Sequence, residues 1–166
     1  MKIRIKDTKT TLKLIGFYQI IGGVLGIGMT AATLLKTGTI NGLMLFIFLF
    51  AFFLFGFSIQ SGNLIIQSSK LNKGMIYSMI LQGLQIVSFG IGNYCFDFYS
   101  GAKGFIGFEF RNCFKFDIGA TFSGFNFTIN SIDAGYFLKI NVISIIILSI
   151  LINIFNEIRK SNQISN

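Results

Sequence analysis

Four polar side chains in an otherwise apolar stretch are the first residues here that could do chemistry. Ser78, Gln82, Gln85 and Ser88 follow one another at helical spacing, and Gly92 closes the series. Steps of three and four put them on one face of a helix. An earlier stripe runs through Gln19, Gly22, Gly23, Gly26, Thr30 and Thr33. Amides and hydroxyls in lipid need partners, and neighbouring helices supply them. The two stripes are therefore expected to face each other. They would meet either as interhelical hydrogen bonds or as the wall of a hydrated cavity for a small polar ligand. Gly22-x-x-x-Gly26 also has the small-residue spacing that lets helix backbones approach in a membrane. Gly22, Gly23 and Gly26 are read as helix-packing positions.

Other chemistry is thin. The chain has no histidine, which removes the usual general base at neutral pH. No phosphate loop, nucleophile elbow or dinucleotide fingerprint occurs. The apolar runs hold no Asp, Glu, Lys or Arg in their middles, which ion-coupled pumps and proton relays generally need. Asp97, Glu109, Asp117 and Asp133 fall together in a later segment, where alternation makes Glu109 and Asp117 ordinary solvated-face charges. Two cysteines without histidine do not complete a usual zinc site, and Cys95 and Cys113 lack the spacing of a redox pair. In an oxidising compartment they would form a disulfide, tying the end of the third helix to a hairpin tip. The expectation is a non-enzyme with no metal and no cofactor.

The elements that must position these residues are apolar. Hydrophobic residues make up 52% of the 166 and charged residues 12%, about half the charged share of a soluble domain. Mean hydropathy is +0.70. From Leu43 to Phe57 there is no polar side chain at all. A soluble helix keeps one polar face, so this run belongs in lipid, and with its flanks it reaches the roughly 20 residues that cross a bilayer core. Three more runs are read as spans, giving four: about 14–35, 40–60, 74–92 and 138–155. They follow a basic segment 1–13 and precede a short polar tail 156–166. Abundant Lys, Asn, Ile and Phe fit a bacterial chain from an AT-rich genome.

Residues 93–134 change character. Ser100–Gly104 reads as a turn by composition. Aromatic and charged residues then alternate with the period of a strand. A three-residue loop at Arg111-Asn112-Cys113 sets Phe110 opposite Phe114, Phe108 opposite Phe116 and Ile106 opposite Ile118, all on one face. Glu109 then opposes Lys115 on the other, a favourable cross-strand pair; a two-residue loop would mix the faces. A third strand is expected at Phe125–Ile129.

The fold class expected is thus a membrane all-α four-helix transmembrane bundle, with a small antiparallel β-sheet inserted between the third and fourth helices and standing outside the membrane. Four spans put both termini on one side. That side carries +7 against +1 on the other, so the positive-inside rule places the termini in the cytoplasm of an inner-membrane protein and the β-segment in the periplasm or outside the cell. The net charge of +8 is then a topology signal that also attracts anionic lipids, and no nucleic-acid partner is expected. Ile106, Phe108, Phe110, Phe114, Phe116 and Ile118 form an aromatic face too large for one small sheet to cover. The expected function is an accessory or scaffold subunit that docks a protein partner through that face, with membrane lipids and a homo-oligomer also among the expected partners. Two alternatives are a membrane immunity protein against a toxin, and a small-solute or lipid carrier using the stripe between the first and third helices.

Overall fold

The computed structural model describes residues 8–110, 113–129 and 135–164. The basic residues Lys2, Arg4 and Lys6, the loop residues Arg111 and Asn112, and Asp133 lie outside the described residues. The elements run α1 (Thr8–Lys36), α2 (Gly42–Ile66), a short 3₁₀ turn (Ser68–Lys70), α3 (Leu71–Ile86), β1 (Val87–Ile91), β2 (Tyr94–Phe110), β3 (Phe114–Ile129), β4 (Tyr136–Asn141) and α4 (Val142–Ile164). The fold is mixed helix and sheet, which corrects the all-α expectation. Three helices are long and apolar enough to cross a membrane: α1, α2 and the stretch Val142–Lys160 of α4.

The third apolar run does not form the expected helix over 74–92. α3 stops at Ile86, and the chain continues as strand β1. Val87-Ser88-Phe89-Gly90-Ile91-Gly92 mixes β-branched, aromatic and glycine residues, all poor helix formers. The N-cap position of α3 is Lys70, and Asn72 lies inside the helix. The fourth helix starts later than expected, at Val142. Asn141 sets that start: its Oδ1 accepts from Ser144 N at 3.4 Å and its Nδ2 donates to Ser144 Oγ at 2.8 Å, the geometry of an N-cap. Asn41 caps α2 in the same way, accepting from Met44 N at 2.8 Å.

The helices pack in two halves. Towards the start of α1 and the end of α4, all four helices share a core of Leu12, Ile15, Ile65, Met75, Leu151 and Ile154. In the other half the sheet joins them, with Leu54, Phe55 and Leu81 packed against Phe98 of β2.

The strands pair antiparallel in the order β1-β4-β2-β3, and β1 also pairs with the start of β2. β4 therefore lies between β1 and the end of β2, while β1 lies between β4 and the start of β2. Three strands close a ring, and β3 lines β2 along its whole length. Closure forces a bend. The start of β2 runs antiparallel to β1, and its end runs antiparallel to β4, which is itself antiparallel to β1. The two halves of β2 thus point in opposed directions, and the β2–β3 ribbon folds between them. The fold falls where the pairing shifts, between Tyr99 and Ala102. There Gly101 has φ +93° and, across the ribbon, Ser123 has φ +35°. The expected turn at Ser100–Gly104 is this bend inside one strand, and the expected third strand at 125–129 is the far half of β3.

Hairpin register is as the alternation requires. Phe110 pairs with Phe114, Glu109 with Lys115, Phe108 with Phe116 and Ile106 with Ile118.

The sheet does not stand clear of the helices. Its bend sits against Gly22, midway along α1. A Cβ built on Gly22 would lie 2.6 Å from the Ser100 carbonyl carbon and 2.8 Å from Gly101 Cα, so only glycine admits the ribbon. Gly22→Ala is expected to destabilise the fold by about 1–3 kcal/mol through overpacking. Gly28→Ala on the same helix, whose added methyl meets nothing within 4 Å, is expected to be neutral or slightly stabilising. Thermal unfolding of the two variants in one detergent checks the contrast.

Candidate functional site

Three groups of residues converge around the bend. The first is a seam of hydrogen bonds between helices and ribbon. Ser58 Oγ donates to the Gln19 carbonyl at 2.9 Å, which leaves Ser100 as donor in the 2.7 Å contact between the two serine hydroxyls. Ser123 Oγ donates to the Gly22 carbonyl at 3.0 Å and accepts from Gly101 N at 2.9 Å. Tyr18 donates its hydroxyl to the Ala102 carbonyl at 2.7 Å, and Ser100 N donates to Gln85 Oε1 at 3.2 Å. The ribbon's bend is thus held by α1, α2 and α3 together.

The polar stripes meet along this seam. Ser78 Oγ donates to Gln19 Oε1 at 2.8 Å. Gln19, Gln82 and Gln85 are fully buried, yet Gln19 Nε2, Gln85 Nε2 and both amide atoms of Gln82 have no hydrogen-bond partner. Ser88 leaves the stripe, because it belongs to β1. Of the glycines, Gly22 receives the ribbon, while Gly23 and Gly26 receive α2 through Ile59 and the Phe55 ring.

The second group lies on the inner face of the ring. Lys103 is 1% exposed. Its Nζ donates to Asp97 Oδ1 at 2.5 Å and to Ser88 Oγ at 2.7 Å, and Ser88 Oγ donates to the same carboxylate oxygen at 2.6 Å. Its ammonium also stands 4.7 Å from the centre of the Tyr99 ring. A second pair, Lys139 with Asp117 at 2.6 Å, shares this face. Lys139 reaches Asp117 by crossing Gly107, the residue paired with both; a Cβ there would lie 2.8 Å from Lys139 Cγ. Burial holds the Lys103 ammonium below the ordinary lysine value, although Asp97 draws it back up. These charges escaped sequence reasoning because Lys103 sits in a segment with the composition of a turn. The signal was there in part: Cys95, Asp97 and Tyr99 alternate with Phe96, Phe98 and Ser100.

The third group is the outer face. Ile118, Ile106, Ile140 and Val87 pair across four strands in one row, Phe116, Phe108, Leu138 and Phe89 in the next, and Phe114, Phe110 and Tyr136 in a third. All eleven are exposed, Phe114 at 66% and Ile118 at 65%. The six residues expected on this face are all in it. The sheet is turned inside out relative to a soluble one, with charge within and hydrocarbon outside.

Between the ribbon and the far halves of α1 and α2 a cleft of about 470 Å³ opens. Thr30, Thr33, Asp97, Tyr99, Thr121 and Asn126 give it a polar side, and Met29, Phe48, Phe55, Phe125 and Phe127 an apolar one.

The disulfide expectation is corrected: Cys95 is a buried free thiol and Cys113 an exposed one. The β2–β3 ladder explains this. It runs from Tyr94 opposite Ile129 to Phe110 opposite Phe114, so Cys95 lies near one end and Cys113 beyond the other. Burial pushes the Cys95 thiol up, which makes it a poor nucleophile. No group of three metal-ligating side chains occurs among the described residues.

No protein-family model, curated protein or solved structure matches this chain. The functional reading rests on the geometry.

Three outcomes follow from the polar groups. Lys103 binds its proton less tightly in the folded chain than in the unfolded one, so its contribution to stability grows as pH rises towards the ordinary lysine value of 10.5. The melting temperature of the native chain minus that of Lys103→Met is expected to increase over the same alkaline range, measured in matched detergent buffers. Gln82→Met removes two buried amide atoms that have no partner, and is expected to leave the melting temperature unchanged or raised. Gln19→Met breaks the Ser78 bond and is expected to cost about 1 kcal/mol.

Proposed function

We propose that this chain is a non-enzymatic integral membrane protein whose inverted sheet docks a protein partner alongside its helices. The observation that carries the reading is the outer face: three uninterrupted apolar rows, exposed, on the side of the ring opposite the two ion pairs. Lone exposed apolar residues need no explanation, but a contiguous face of this extent marks a binding or membrane surface. Strands cross lipid only when their backbone groups are paired within a closed sheet. β1 and β4 have a neighbour on each edge, which suits a sheet held at membrane depth beside α1. The inner-membrane location, the cytoplasmic termini and the extracytoplasmic side of the sheet belong to this proposal and rest on the charge asymmetry of the sequence. A docking protein of this kind is an accessory or scaffold subunit, and an immunity protein would use the same face.

The cleft favours a second reading, the binding of a small amphipathic solute. The glutamines of the stripe are fully buried, whereas Asp97 and Tyr99 line the cleft, and that wall is where such a ligand would sit.

A photo-reactive amino acid at Phe108, in the central strand of the face, tests the docking reading in the native membrane. The expected result is a discrete protein adduct that is absent when the probe replaces Thr121, which lines the cleft. Adducts with lipid alone at Phe108 would overturn it.

A further inference from the structure

We infer that the free edge of β3 pairs with β3 of a second copy of this chain, about a two-fold axis at Phe116. The inference rests on the reading of the chain as a membrane protein with an inverted sheet. The ring leaves one strand incomplete. β1 and β4 have neighbours on both edges, and β2 meets β3 on one edge and β1 or β4 on the other. Among the described residues β3 pairs only with β2. From Phe114 to Gly119 its side chains are exposed or half-buried, so no helix or loop among the described residues covers that edge. In water an open edge is hydrated. Against lipid its N–H and C=O groups have no partner, and open sheet edges do not occur there. Another strand supplies all of those partners at once.

The register selects the occupant. Antiparallel self-pairing places residue i opposite j and j opposite i. An odd offset would set Phe116 opposite a charged residue and mix the two faces, so the axis passes through a residue. Centred on Lys115, the pairing opposes two lysines; centred on Asp117, it opposes two aspartates. Centred on Phe116, it sets Lys115 opposite Asp117 of the partner subunit, and Asp117 opposite the partner's Lys115. Both pairs fall on the charged face, while Phe116 meets the partner's Phe116 on the apolar one. Lys115 has no ion pair within the described chain, whereas Asp117 already holds Lys139 through Oδ2 and has a second oxygen to offer. The middle apolar row then runs unbroken through both copies.

Cysteine crosslinking of the full chain in its membrane tests this. With Cys113→Ser as background and buried Cys95 retained, Phe116→Cys is oxidised by copper phenanthroline. Directly opposed residues of an antiparallel pair have Cα atoms about 4.5–5.5 Å apart, within disulfide reach. The expected product is a band of twice the chain's mass. Ile106→Cys, on the same face but in the interior strand β2, is expected to stay monomeric. Lys115→Glu added to Phe116→Cys sets like charges opposite each other twice per dimer, and is expected to lower the yield roughly tenfold. A monomeric Phe116→Cys chain with native melting temperature would overturn the inference, as would equal crosslinking at Ile106, the mark of random collision. The Phe108 probe separates this from the docking reading. A partner adduct at Phe108 with a monomeric Phe116→Cys chain removes only the two-fold pairing. Lipid adducts at Phe108 with a Phe116→Cys dimer remove only the separate partner.

Discussion

The seat of the ribbon's bend on Gly22 is the contact that the rest of this structure depends on. A strand bent sharply inside an apolar bundle exposes main-chain groups that its own ladder cannot pair. Here the bend's main-chain groups go to named partners on two helices and on β3: Tyr18 takes the Ala102 carbonyl, Gln85 takes Ser100 N, and Ser123 links Gly101 N to the Gly22 carbonyl. Each leftover buried group would cost about 1–3 kcal/mol. The serines at 58, 100 and 123 are small enough to fit where the backbones touch and polar enough to complete the pairing. Of the polar stripe, Gln85 thus serves the ribbon, while Ser78 and Gln19 join helix to helix.

From that seat the inversion of the sheet follows. The ribbon folds back with one face turned inward, and the ring closes over Ser88, Asp97, Lys103, Asp117 and Lys139. A buried ammonium without a partner would be severely penalised, whereas one bonded to a carboxylate and a hydroxyl is tolerated. The same closure pushes the aromatic face outward. Pairing, charge and hydrophobicity therefore point to one arrangement, in which Lys139 lies across Gly107 and the phenylalanines lie on the opposite side.

What could be read from the sequence follows the strength of each periodicity. The hairpin register was legible because Ile106–Ile118 alternates strictly and only one loop length keeps its faces apart. The apolar runs of α1, α2 and α4 were legible because no charge interrupts them. The end of α3 was not. Ser88 continues the helical spacing of Ser78, Gln82 and Gln85 by coincidence, and a short apolar run such as Val87–Ile91 suits helix or strand equally. Ser100–Gly104 misled for a related reason: small residues serve a close backbone contact as well as a turn. The pairing of Cys95 with Cys113 failed because the continuity of β2 is a tertiary fact, fixed by β1, β4 and three helices rather than by local composition.

Length sets α3 apart from the three helices that are long and apolar enough to cross a membrane. At 1.5 Å per residue, α3 with its 16 residues is about 24 Å long, short of a hydrocarbon core of about 30 Å. α1, with 29 residues, reaches about 44 Å. The five residues of β1, which follow α3 directly, have an extended length of about 17 Å. A strand in an apolar environment needs both its edges paired, and β1 is the strand inserted between β4 and the start of β2. The ring therefore pairs both edges of the strand that follows this short helix. That is also why the fourth helix begins at Val142, directly after β4, the strand that supplies one of those two edges.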